Sequence, residues 1–572
     1  MSSPRLKTQF EQLSKHFSGQ SSNTHLHVIS EVLFCTRRNT RMVINKMVEE
    51  GWVEWIPAVG RGKSSRLNFI RSNDEVNLEL ATRHVEDGRL DQALITLNND
   101  AKLLAQVIQD KLGFSQQQGK QVVRLPYYRQ FVNLNPQKPV RRSEQHIIKQ
   151  IFSGLTKIDE NSEQLCGDLA HHWESLTPKH WRFYLRPSVR FHDGHLLNIN
   201  DIIDTFAGLL TTDLFCHIKQ VHKHTDNTVD FILKVEDHSF PVLLSHIEAK
   251  ILPSGYQDMV DFNFKPIGTG PYRVISNDAQ RLILEAHDYY YGFRPLVDNV
   301  EVWVLDKISA MQLAPGIDLP AGDHNGVSSK VELDQGCSYL LFNRNSGVCT
   351  QPEWLHYLQS KLHSYALFSN MSQHDLSSLG LINAHGLLPG KRHVHKVIDE
   401  IISAPTNKRV ITLAYPKEHP VYPLIAKAMT CILAKDGIRL IIKELNLLQL
   451  ASGEYDNNID FWISGMSLGN HRDDSLLGWF YRSSEIKRAT PKDEFEQMCQ
   501  IIDEWRGSGQ MPFPVNELSK QLVTSGQLLP LFHGWMGILD DQLGVVQNAD
   551  CNGLGWFDFS TVWMKPAVTP ID

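Results

Sequence analysis

Arg37, Arg38, Arg41 and Asn45 recur at intervals that a helix would gather on one side. Guanidinium groups grip guanine edges or phosphates and an Asn amide pairs with adenine, so such a face suits the reading of duplex DNA. Asn39 joins the same set. Farther on, the glycines of Gly60-Arg61-Gly62-Lys63 would let backbone approach a duplex closely while Arg61 and Lys63 neutralise phosphates. Gly62-Lys63-Ser64 ends like a nucleotide-binding P-loop, but the earlier glycine would fall at Pro57 and the helix that should follow is missing, so no nucleotide site is expected. His171-His172 and His192-x-Gly194-His195 lack the i, i+4 spacing of a zinc hydrolase, and no metal or other cofactor is expected. No local carboxylate pair or Ser/Cys–His signature nominates a catalytic group, so an enzyme is not expected.

The basic residues need a rigid mount. Leu6, Phe10, Leu13 and Phe17 predict a helix over Arg5–Phe17, broken by the polar stretch Ser18–Asn23. Helical spacing resumes over Leu26–Leu33, Phe34-Cys35 makes a short turn, and Thr36 is a good N-cap for a third helix, Arg37–Glu50, which Gly51 ends. In that helix Thr40, Val43, Ile44 and Met47 share the arc that should pack inward. Trp52–Trp55 and Arg66–Ile70 read as two strands of a wing. A lone basic helix would read as a solvated face. Two preceding helices, a cap and a basic hairpin in this order favour an α+β winged helix-turn-helix over 1–72, with the helix-turn-helix at about 26–49 and the wing at 52–70.

Charge divides the chain in the same way. Residues 1–70 hold ten Lys/Arg against five Asp/Glu, or +5, whereas the whole chain carries −7, which leaves −12 on the rest. A basic head on an acidic body places phosphate contact at one end only. At 572 residues, two to four domains are expected. The eight cysteines form no CxxC pair, which suits free thiols in a reducing compartment. Met1–Lys7 lacks the apolar run of a secretory signal and no eighteen apolar residues occur in succession, so a cytoplasmic protein without membrane contact is expected.

Residues 73–121 read as a polar helical connector ending in a soft glutamine-rich joint, Phe114–Gln121, with a spacer and a dimer contact as its two open roles. Beyond it, Trp181, Phe183 and Leu185 alternate with Arg182, Tyr184 and Arg186 as in a half-buried strand. The segments YYR…LNP (127–136), IFSGLT (151–156), DLAHHWE (168–174), WRFYLRPSVRFHDG (181–194), PIGTGPY (266–272) and HDYYYG (287–292) resemble the extracellular solute-binding proteins of family 5 in order and spacing. With CTRRNTRMVINKMVEEGWVEW…VGRGK (35–63) and GLGWFDF (553–559), essentially the whole chain resembles the SgrR-type transcriptional regulators.

That resemblance implies a cytoplasmic protein whose winged helix is fused to a two-lobed α/β periplasmic-binding-protein-like domain (type II, cluster C) over 122–572. Lobe 1 would take about 122–300 and 526–572, lobe 2 about 301–525, with crossing strands near Glu301–Leu305 and Leu528–Phe532. The partners it implies are double-stranded DNA at a promoter or operator and a small-molecule solute in the interlobe cleft; a homodimer is left open. Sensing would modulate activation and repression, as in sugar-phosphate stress. In peptide-binding members an acidic residue pairs with the peptide's amino group; alignment places Gly469 there and Met466 at the neighbouring tryptophan. A free amine would lose its charge partner, which disfavours a peptide and favours a sugar or sugar phosphate. Tyr128, Arg129, Asn343, Trp462, His533 and Trp535 are the expected cleft residues, with Arg129 available for a phosphate. The competing reading is the solute receptor of an importer for peptides or sugars, with a head that does not bind DNA.

Overall fold

The computed structural model describes residues 4–60, 63–109, 112–117, 119–160, 162–304, 330–372, 376, 380–392, 402–407, 409–417, 419–469, 472–509, 512–538, 546–549 and 552–564. The chain forms two compact units, Met1–Leu112 and Gly113–Asp572.

In the first unit, α1 (Pro4–His16), β1 (Ser22–Thr24), α2 (Leu26–Val32) and α3 (Arg37–Glu49) precede β2 (Val53–Ile56) and β3 (Ser65–Phe69). The Thr36 hydroxyl accepts the Asn39 N–H and starts α3, and Gly51, at φ +72°, follows its end. Thr40, Val43, Ile44 and Met47 are the buried residues of α3, as their spacing requires, and the three apolar ones enter a core with Phe10, Leu13 and Trp52. The polar break expected over Ser18–Asn23 contributes instead to β1, which pairs antiparallel with β3 to give the sheet order β1-β3-β2. A three-residue strand without apolar alternation leaves no local trace, because its hydrogen bonds are made to residues some forty positions away.

The helices read as a connector are α4 (Asn73–Glu86), α5 (Leu90–Thr96) and α6 (Ala101–Gln109). A capping box between Ser72 and Glu75 starts α4, whose Val76 and Leu80 complete the core of the head. The glutamine-rich joint is no flexible spacer: β4 (Gly113–Gln117) turns back on β5 (Lys120–Tyr127) as an antiparallel hairpin.

The second unit is built on two large sheets. The first has the order β6-β7-β8-β5-β4, with β6 (Tyr272–Asn277), β7 (Arg281–Ala286) and β8 (Asn299–Val304). Val122–Tyr127 and Asn299–Val304 pair in parallel at its centre, and Ile147, Ile148 and Ile151 of the helix Arg142–Ile151 enter the core beside it. The alternating segment 181–185 is the centre of a smaller antiparallel sheet. The second large sheet gathers strands from Lys330–Leu333 to Leu528–Ile538. Its strand Cys337–Phe342 is covered on both faces: Cys337, Tyr339 and Leu341 enter one hydrophobic cluster, Leu340 and Phe342 another.

The path of the chain between the lobes differs from expectation. Leu528–Ile538 lies wholly within the second sheet, paired with Cys337–Phe342, instead of opening the return to lobe 1 at 526. The return comes later, where Trp556, Phe557, Phe559 and Val562 pack into the core of the first sheet. A nearly continuous apolar run such as LLPLF fits either buried sheet, and only pairing partners decide between them.

Candidate DNA-reading face and solute cavity

On the head, the packing of α3 decides what faces water. With its apolar arc committed to the core, Arg37, Arg38, Arg41 and Asn45 are all exposed. Asn39 behaves differently: it is half-buried, and its amide donates to the Cys35 thiol at 3.3 Å, so it braces the turn before the helix. In the wing Lys63 is exposed, Gly60 holds φ +114°, and the Ala58 N–H donates to Ser65 Oγ at 3.1 Å. Arg61 lies outside the described residues. The head thus presents three guanidinium groups and an amide on one rigid helix, the donor set that major-groove recognition uses.

In the body a cavity of about 950 Å³ is lined by residues from both large sheets and the helices around them. Tyr128, Arg129 and Trp535 are among those residues; Asn343, Trp462 and His533 are not. Asn343 is buried in the turn after Cys337–Phe342, its amide donating to Ser346 Oγ (2.7 Å) and to the carbonyls of Asp456 (3.0 Å) and Ile459 (2.9 Å). Trp462 is 2% exposed within the hydrophobic core, and the His533 Nδ1–H donates to the Gly336 carbonyl at 2.7 Å. Asn343→Ala should therefore cost about 1–3 kcal/mol by stripping buried carbonyls of their donor, with no change in solute affinity. Thermal melting beside ligand titration checks both halves of that expectation.

Arg129 faces the cavity with its charge already matched. Glu144 receives it in a two-pronged ion pair, one bond being Nη2 to Oε2 at 2.8 Å, and the guanidinium lies 5.4 Å from the centroid of the Tyr127 ring and 5.7 Å from that of Tyr128. The phosphate partnership expected for it is taken by this carboxylate, fifteen residues away in a helix that sequence spacing does not connect to it.

The polar lining that sequence reading missed is ionic. Eight basic and eight acidic side chains line the cavity, so its wall is neutral on balance. Lys157 is one of them; burial opposes its charge, yet the neighbouring Asp168 raises its pKa overall and holds it as an ammonium. Burial pushes the carboxyls of Glu248 and Glu485 upward. Ion pairs link parts of the chain before residue 305 to parts after it: Arg142–Asp334 (2.7 Å), Lys487–Asp213 (2.8 Å), Arg482–Glu248 (3.0 Å) and Arg506–Asp237 (3.8 Å). The half-exposed Lys487 pair contributes about 0–1 kcal/mol. Arg506 and Asp237, 3% and 1% exposed, are the most buried of these four pairs and the one whose disruption would cost most. Gly469 lines the cavity with its N–H donating to Ser475 Oγ at 2.9 Å. No periodicity announces any of these, since each partner is set by the tertiary fold.

The two histidine pairs sit in different settings. His171 and His172 are exposed on the strand Ala170–Thr177. His192 Nδ1 accepts the Gly268 N–H at 3.2 Å and its Nε2–H donates to the Gly270 carbonyl at 3.1 Å, which fixes a neutral ring.

Comparison with known proteins adds to this geometry. Residues 5–119 match the family described as "Sugar transport-related sRNA regulator N-term", and residues 164–315 match "Bacterial extracellular solute-binding proteins, family 5 Middle". The chain is 36% identical over 566 residues to the HTH-type transcriptional regulator SgrR of Yersinia pestis (strain Pestoides F), covering 99% of this chain and 100% of the relative. It is 35% identical over 570 residues to the protein of the same description from Pectobacterium atrosepticum, again covering 99% and 100%. Among solved structures, the oligopeptide-binding protein AppA from Bacillus subtilis superposes with a TM-score of 0.64 at 19% identity, over 78% of this chain and 100% of that one. The Escherichia coli murein tripeptide binding protein MppA gives 0.61 at 16%, over 78% and 98%. At such identities the likeness is one of fold.

Proposed function

The chain belongs to the SgrR family of HTH-type transcriptional regulators, and from that premise we propose that it works in the cytoplasm, where a solute held in the body's cavity changes how α3 engages promoter or operator DNA. The observation that carries this reading is the presence, in one chain, of four exposed side chains on α3 suited to base and phosphate contact and a cavity lined from both large sheets. Coupling requires the solute to prefer one closure state, because a ligand with equal affinity for both shifts nothing.

The preferred solute is a sugar or sugar phosphate. Trp479, Trp535 and several tyrosines on the lining offer faces for sugar C–H groups. Balanced wall charge favours the neutral sugar over its phosphate, while Gly469 leaves a peptide amine without the carboxylate that the peptide-binding pattern supplies. A thermal-shift screen of sugars, sugar phosphates and short peptides tests this. The correct class should stabilise the protein by about 2.7 kcal/mol at a hundred times its Kd, with a concentration-dependent melting temperature. Silence from all three classes would remove the sensing role.

Footprinting on the gene's own upstream region, with and without the effective solute, tests the regulatory half. If a homodimer binds, protection should appear at two half-sites about 34 Å apart or a multiple of it. Protection of one isolated half-site would exclude the dimer.

A further inference from the structure

Phe34 is 91% exposed, more than any other large apolar side chain among the described residues of the head. It also holds a backbone conformation that its type disfavours, with φ at +49°. The Phe34 N–H donates to the Glu31 carbonyl at 3.2 Å and the Cys35 N–H to the Ser30 carbonyl at 2.9 Å. That pair of bonds is the Schellman ending of a helix, whose left-handed position is ordinarily glycine's. An aromatic residue there suffers crowding of its Cβ against the carbonyl and leaves its ring in water. Packing returns neither cost, since Phe34 takes no part in the core formed by Phe10, Ile29, Ile44 and Trp52. The end of α3 shows the ordinary solution, Gly51 at φ +72°.

The location explains what the ring is for. It stands in the turn of the helix-turn-helix, three residues ahead of Arg37, next to the end of α3 that enters the groove in this motif. Val59, the other nearly naked apolar side chain among the described residues of the head at 88% exposure, belongs to the wing. Phe34 adjoins the helix that carries the exposed arginines and Val59 lies in the wing that carries Lys63, and a duplex offers one major-groove feature that an apolar group reads: the 5-methyl group of thymine.

We propose that Phe34 reads DNA beside Arg37 and Arg38, its ring entering the major groove and packing on a thymine methyl group. This rests on the DNA-binding role of the head and extends it to an uncharged residue. The strained turn holds the ring outward, and the contact it makes on DNA offsets the cost of that position.

The test uses the full-length chain, the upstream duplex, and the same duplex with deoxyuridine replacing thymidine. Phe34→Gly should weaken binding about tenfold, the scale of one base-edge contact. Its salt dependence should be unchanged, whereas Arg38→Ala should flatten it by roughly 0.9 if a phosphate contact is lost. The parent should lose a similar factor on the deoxyuridine duplex, and Phe34→Gly should be indifferent to that exchange. Hydrogen exchange of the 26–49 amides should slow in Phe34→Gly by up to about fivefold, because glycine relieves the turn.

Parental affinity in Phe34→Gly with a weakened Arg38→Ala overturns the proposal and leaves DNA binding by α3 standing. Parental affinity in both overturns the α3 reading itself. Equal losses of parent and variant on deoxyuridine DNA overturn the thymine assignment. Faster exchange in Phe34→Gly, or a changed oligomeric state, would assign the ring to the fold or to a second copy and likewise overturn it.

Discussion

Replacing Arg37, Arg38 and Arg41 together by alanine will weaken binding to the upstream DNA about a hundredfold or more, since each good base or phosphate contact is worth about 1–3 kcal/mol. The head should stay folded. All three side chains are exposed, the packing face of α3 is carried by Thr40, Val43, Ile44 and Met47, and alanine favours a helix at least as strongly as arginine. Binding should also become less salt-sensitive, by roughly 0.9 in log–log slope for each phosphate contact removed. Titration of the triple variant at several salt concentrations, beside hydrogen exchange of the head, separates lost contacts from lost structure. Affinity within about threefold of the parent would mean that another surface reads the DNA.

Acid will destabilise the body from just below neutrality. Burial lowers the pKa of His146, His192 and His419 to about 3 each. In the unfolded chain each has a pKa of about 6.5. As pH falls through 6.5 the unfolded state takes up protons that the folded state refuses, so stability present above that value is lost below it. Each ring costs about 1.4 kcal/mol per pH unit, and the three together about 4, against a typical total of about 5–15. The His192 ring shows why the refusal is firm: protonating Nδ1 would turn it against the Gly268 N–H that it accepts. Asp230, lowered to about 2 by its Arg182 hydrogen bonds, acts in a more acidic window and does not confuse the reading. Urea midpoints at pH 7.5, 6.5 and 5.5 should fall steeply over the last interval, and His192→Asn should make that fall shallower. A flat profile would show that these rings take up protons in the folded state.

Local order was written in contiguous residues. Thr36, the interval Thr40–Val43–Ile44–Met47 and Gly51 describe a capped helix with one apolar arc, because caps and the 3.6-residue period need no distant partner. Trp181–Leu185 declared a strand for the same reason. The family motifs carried the order of the domains. What a residue faces was not written there. Trp462 and Trp535 are the same side chain in similar apolar strands, yet one fills the core and the other lines the cavity. Arg129 looked free for a ligand until Glu144 was folded against it. β1 and the late return of the chain at Trp556–Val562 depend on pairing and packing across long separations. Periodicity fixes which residues share a side of an element; only the meeting of elements far apart in the chain decides whether that side meets solvent, a counter-charge or a ligand.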